Sequence, residues 1–99
     1  MPENEIISKT NAWLKSIGKE VFITILYPAL KKDINIDSSA VCRLYPEFAK
    51  RDCRDNRLSS SRSIIKNGWE KYALTIIAES KRLDPSIIDK AKNYLSQIN

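Results

Sequence analysis

Five of the six arginines in this 99-residue chain lie between residues 43 and 62. A guanidinium binds phosphate oxygens through paired hydrogen bonds and stacks on bases, whereas a surface lysine is a flexible point charge. Residues 43–71 carry eight basic and four acidic side chains, a net charge of +4, whereas residues 1–42 are neutral overall. This uneven distribution favours an anion-binding surface, and nucleic acid is the anion that such a surface commonly binds.

Three serines, Ser59 to Ser61, follow the first four of these arginines and are typical of a helix start. Their hydroxyls and the N–H groups of the first helical turn would add donors for the same anion. Downstream polar residues share a helix face, where asparagine can pair with adenine and arginine with guanine. The predicted nucleic-acid-binding residues are Arg43, Arg51, Arg54, Arg57, Ser60, Ser61, Arg62, Lys66, Asn67 and Lys71. The alternative is a solvated loop, because Asp52 and Asp55 alternate with the arginines and neutralise some of their charge.

The chain lacks the residues that most catalytic and metal sites need. It contains no histidine, which removes His-based triads and a histidine general base. Cys42 and Cys53 are eleven residues apart, form no CxxC pair and are interpreted as free thiols, with Cys42 partly buried. The carboxylates are scattered. We therefore expect a protein that is not an enzyme, with no catalytic residues, metal or cofactor.

Apolar residues at helical spacing predict about five helices. The chain has only two glycines, and this scarcity argues against tight hairpins, which need glycine in their turns. The first predicted helix runs from Glu5 to Ile17 and is closed by Gly18, and the second covers residues 19–32. The third is capped by Asp37 and ends or bends at Tyr45, before Pro46. The fourth, predicted to be central, runs from Ser59–Ser61 to Ile77, and the fifth from Asp84 to Ile98. Residues 50–58 are predicted to be a charged loop.

The second segment is ambiguous because Val21 to Tyr27 has the composition of a strand. Its apolar residues nevertheless recur as doublets every four positions, which is a helical pattern. We therefore predict a helix, with a kink or a lost hydrogen bond at Pro28.

Together these features predict one all-α domain over residues 1–99. Its third and fourth helices resemble a helix-turn-helix with a connection longer than the usual three or four residues. Residues 1–10 lack a secretory signal and no apolar run approaches a membrane span, so a soluble, cytoplasmic protein is expected. The leading hypothesis is nucleic-acid binding, DNA ahead of RNA. The alternative is a protein-interaction module (an adaptor, an oligomerising domain, or a mobile-element inhibitor of a nucleoprotein) whose apolar surface includes Ile23, Tyr27 and Tyr45.

Overall fold

The structure, a computed structural model, describes residues 2–98. These residues form six helices and no strands, which confirms the all-α prediction with one more helix than expected. The helices are α1 (Glu3–Ile17), α2 (residues 19–32), α3 (Ser38–Leu44), α4 (Arg54–Lys66), α5 (Glu70–Ala78) and α6 (Pro85–Ile98). A 3₁₀-helix, Pro46–Lys50, lies between α3 and α4. None of the helices in this part of the chain combines the length and apolarity needed to cross a bilayer.

Gly18 ends α1 as predicted. Its φ of 90° lies in the region that glycine occupies without a Cβ penalty, and its N–H donates to the carbonyl of Leu14 at 2.8 Å. A Cβ at this position would lie 3.4 Å from the guanidinium of Arg57, which reaches the end of α1. Gly18 therefore both turns the chain and leaves room for that side chain.

The ambiguous segment is helical, and α2 is the most buried helix. Its middle, Phe22–Leu26, is a π-helix in which the N–H of Tyr27 bonds to the carbonyl of Phe22. Pro28 follows and has no N–H to donate, so the wider turn lies directly before the residue where a kink or a lost hydrogen bond was predicted. Because the apolar doublets cover most of its circumference, α2 is buried nearly all round. The prediction that the fourth helix is the central one is wrong for this reason.

The predicted caps of α3 and α6 are confirmed. The N–H of Ala40 donates to Asp37 Oδ1 at 2.8 Å at the start of α3. At the start of α6, the N–H of Ser86 donates to Asp84 Oδ1 at 2.9 Å, and this bond lowers the pKa of that carboxyl. The predicted stop of the third helix is also confirmed, because the backbone of Tyr45 is not helical (φ −131°, ψ 85°) and Pro46 begins the 3₁₀-helix.

The predicted start of the fourth helix is wrong. The helix begins at Arg54 rather than at the serines, so the expected loop over residues 50–58 shrinks to a short turn. Leu58 and Ile64 are buried along this helix, which shows that the apolar stripe begins at Leu58, directly before the serines. Ser60 and Ser61 therefore lie inside α4 and do not cap it.

The predicted helix from residue 59 to Ile77 is also broken, at Gly68. This glycine has a φ of 75°, and its N–H donates to the carbonyl of Ile65 at 3.0 Å. The N–H of Trp69 donates to the carbonyl of Ile64 at 2.9 Å, which completes a Schellman motif. Gly68 is therefore a stop signal between α4 and α5 and not an interior residue of one helix.

The helices pack around α2. α1 lies against α4 and α5, and α5 pairs with α6. Trp13 of α1 stacks on Trp69 at 5.5 Å between ring centroids, and Tyr27 of α2 meets Tyr94 of α6 edge-on at 4.8 Å. The shorter α3 and the 3₁₀-helix sit on one side of this core and contact the start of α4.

Candidate nucleic-acid interface

Two open cavities adjoin each other between α3 and α4. One, of about 570 Å³, includes Arg43 and Arg54 in its lining; the other, of about 520 Å³, includes Arg62 and Lys66. Both cavities share Ser38 and Asp55. We call the two cavities together the α3–α4 groove. Its defining residues are Ser38, Arg43, Arg54, Asp55, Arg62 and Lys66.

Ser38 and Asp55 form the wall between the two cavities. The hydroxyl of Ser38 donates a hydrogen bond to Asp55 Oδ1, which links the first residue of α3 to the first turn of α4. Asp55 also lies in the first turn of α4, where the positive end of the helix dipole stabilises a carboxylate. The bond fixes a negative charge near the middle of the groove.

Arg43 and Arg54 face the first cavity from opposite helices, and both are exposed. Arg54 donates from Nη1 to the carbonyl of Ala49 at 2.6 Å, so its side chain bends back over the 3₁₀-helix. A guanidinium has several N–H donors, so this bond leaves others for a ligand. Ser39 and Cys42 line the same cavity, and the Cys42 thiol is free and partly buried, as predicted.

Arg62 and Lys66 lie four residues apart on one face of α4 and line the second cavity. Arg62 is half-buried and donates from Nε to the carbonyl of Ile34 at 2.7 Å and from Nη2 to the carbonyl of Ile36. These bonds hold the loop that leads into α3. Arg62 thus builds the groove as well as adding charge to it, whereas Lys66 is exposed.

Arg57 lies on a different side of α4. It donates from Nε to the carbonyl of Asp52 at 2.7 Å and from Nη1 to the carbonyl of Ile17 at the end of α1. Carbonyls at a helix C-terminus carry partial negative charge, which a guanidinium offsets well. The structure therefore gives Arg57 a role in joining α1 to α4.

The other predicted residues do not converge on the groove. Ser61 is fully buried and donates to the carbonyl of Arg57 at 2.8 Å, while Ser60 is half-buried in mid-helix. The Asn67 amide donates to the carbonyl of Ser63 at 2.8 Å at the end of α4. Lys71 lines a separate cavity of about 620 Å³ between α1 and α5. Arg51 is exposed in the turn before α4.

Ser38 was not among the predicted site residues, and Asp55 was predicted to lie in a loop. A helix start at Arg54 would have placed Asp55, Arg62 and Lys66 on one face. The buried Leu58 was the available signal, because it continues the spacing of the later apolar residues backwards.

The apolar surface also differs from expectation. Ile23 and Tyr27, which were predicted to form part of an exposed patch, are each only 1% exposed. Leu44, which was not part of that predicted patch, is 59% exposed. It lies next to Arg43 at the end of α3.

Comparison with protein-family models, with curated proteins and with solved structures finds no match to this chain.

Proposed function

We propose that this chain is a non-enzymatic nucleic-acid-binding domain and that the α3–α4 groove contacts the phosphate backbone. The observation that carries the proposal is the presence of four cationic side chains in the lining of two adjoining cavities: Arg43, Arg54, Arg62 and Lys66. DNA is the preferred ligand in this proposal, ahead of RNA.

The chemistry of the groove suits phosphate oxygens. Arg43 and Lys66 are exposed and line different cavities of the groove. Each can therefore contact a phosphate without breaking an interaction in the core. The hydroxyls of Ser39 and Ser59 lie in the same linings and add neutral donors. Contacts of this kind set the position and register of a nucleic acid and carry little sequence information.

The helix pair also bears on this proposal. α3 and α4 are consecutive and enclose the groove, as in a helix-turn-helix, but the 3₁₀-helix makes their connection longer than the simple motif allows. We therefore expect backbone contact from the groove rather than deep insertion of α4 into a major groove.

One observation favours a second function. Leu44 is 59% exposed, the largest exposed fraction among the large apolar side chains of residues 2–98, so it is available to a protein partner. A protein partner docking on Leu44 would meet Arg43 beside it, so an acidic partner suits this surface.

The test is binding of a labelled, mixed-sequence DNA duplex measured by fluorescence anisotropy at low salt. The variants Arg43→Glu and Lys66→Glu each reverse one exposed groove charge. We expect each to weaken binding about tenfold or more, because a phosphate contact is replaced by repulsion. Arg57 is unsuitable for this test because it donates a hydrogen bond to the carbonyl of Ile17, so its substitution would also disturb the fold.

Lys92→Glu is the matched control. Lys92 is exposed on α6, so the variant makes the same change in net charge outside the groove. It should weaken binding by less than about threefold, through the overall field alone. Equal losses in all three variants would remove the groove from the proposal, and no binding of DNA or RNA at low salt would overturn the function. Thermal unfolding by circular dichroism confirms that each variant is folded.

A further inference from the structure

The α3–α4 groove alternates in charge along its length. Arg43 and Arg54 lie in one cavity, Arg62 and Lys66 line the other, and the shared wall carries Asp55. Asp37 adds a second carboxylate to the lining of the second cavity. We infer, on the basis of the function proposed above, that the groove binds the two backbones of a double helix and not a single strand.

The spacing of the cations along α4 supports two separate phosphate contacts. Arg54 and Lys66 are twelve residues apart on this helix. At about 1.5 Å per residue, their backbones are about 18 Å apart along the axis. The major groove of B-DNA is about 12 Å wide, and its two phosphate rails stand on either side of it. Flexible arginine and lysine side chains at the two ends of the α3–α4 groove can therefore reach one rail each.

The acidic side chains decide between the two kinds of ligand. A single strand lying in the groove would carry a phosphate at every nucleotide, and some of them would face Asp55. The hydrogen bond from Ser38 holds that carboxylate in the wall, and the N–H of Ala40 holds the carboxylate of Asp37. A double helix that bridges the groove places no phosphate between its two rails. The like-charge repulsion therefore acts against the single strand and spares the duplex.

The first test compares two labelled ligands of one sequence, a single strand of about 20 nucleotides and the corresponding duplex, at equal and low salt. We expect the duplex to bind about tenfold more tightly or better. Equal binding, or preference for the single strand, would overturn this inference and leave the proposed function standing. Failure of both ligands to bind would overturn the proposed function itself.

The second test removes the negative charge from the wall. Asp55→Asn keeps an oxygen that accepts the bond from Ser38, so the groove retains its shape. We expect this variant to strengthen single-strand binding about fivefold and duplex binding less than about twofold. Asp89→Asn, at an exposed position on α6, is the matched control and should change neither ligand. An equal gain for both ligands in Asp55→Asn would overturn the inference, because the carboxylate would then act through net charge alone.

Discussion

The buried side chain of Tyr27 joins three helices, α2 to α5 through its hydroxyl and α2 to α6 through its ring. Tyr27 is 1% exposed and donates to Glu70 Oε2 at 2.6 Å, and the same oxygen lies 3.5 Å from Lys31 Nζ. Burial and this bond raise the pKa of the phenol. Tyr94 of α6 packs against the ring, so α2, α5 and α6 meet here. The contact stabilises the core and is separate from the groove.

Tyr27→Phe should lower the free energy of unfolding by about 1–2 kcal/mol. A hydrogen bond to a charged acceptor contributes about 1.5–3 kcal/mol, and the lower end applies because water can reach Glu70 once the hydroxyl is gone. Urea unfolding followed by circular dichroism measures the loss. Tyr72→Phe, the same change on the partly exposed side of α5, should cost less. Equal stability of the two variants would contradict the assignment.

The same bond makes stability depend on alkaline pH. The folded state holds the Tyr27 proton more tightly than the unfolded state, in which the phenol ionises near pH 10. The contribution is therefore complete below about pH 10 and falls as the pH rises further. The free energy of unfolding of Tyr27→Phe should fall less steeply above that pH than that of the parent chain. Parallel curves for the two proteins would show that Tyr27 does not cause the dependence.

The roles of individual arginines could not be predicted from the sequence. Arg57 and Arg62 lie in the same polar stretch of sequence as Arg54, yet they donate hydrogen bonds to carbonyls 40 and 28 residues away in the chain. Their partners are backbone atoms, which give no signal of their own in a sequence. Arg43 and Lys66, which were predicted to bind nucleic acid, are exposed in the structure.

At the scale of helices, the residues that begin or end a helix could be predicted where the apolar pattern also begins or ends. Gly18, Asp37 and Asp84 each stand at the edge of an apolar stripe and act there as predicted. Gly68 was misread because apolar residues continue at helical spacing on both sides of it. Its Schellman motif shows that two helices with a continuous stripe are separated by one left-handed residue.

Gly68→Ala should destabilise the fold by about 1 kcal/mol, because alanine in the left-handed region costs about 1–2 kcal/mol. Apart from the two chain neighbours of Gly68, no atom of residues 2–98 lies within 4 Å of the position of an added Cβ, so the cost comes from the backbone and not from a clash. Gly68→Asn is the control and should lose less, because asparagine tolerates this conformation. Thermal unfolding of the three proteins measures the order. Alanine at full stability would indicate that α4 and α5 can join into one helix.

At the scale of the whole molecule, four basic side chains lie on one side, and the apolar core lies apart from them. The net charge is +5, and the four groove cations lie on the side formed by α3 and α4. α2, α5 and α6 build a separate apolar centre around Tyr27 and Tyr94. The uneven distribution of arginine along the sequence pointed to residues 43–71, but which of these residues lie together depends on how α3 packs on α4. That packing is set by the loop carbonyls that Arg62 holds.

The salt dependence of duplex binding tests this division quantitatively. Each phosphate neutralised on B-DNA contributes about −0.9 to the slope of log K against log salt concentration. Engagement of the four groove cations predicts a slope of about −3 to −4. The double variant Arg43→Gln/Lys66→Gln should bring the slope to about −2, because two contacts are lost, whereas Lys92→Gln should leave it unchanged. Titrations between about 50 and 200 mM salt provide the slopes. A slope near zero in the parent chain would rule out phosphate contact, and an unchanged slope in the double variant would move the contact surface away from the groove.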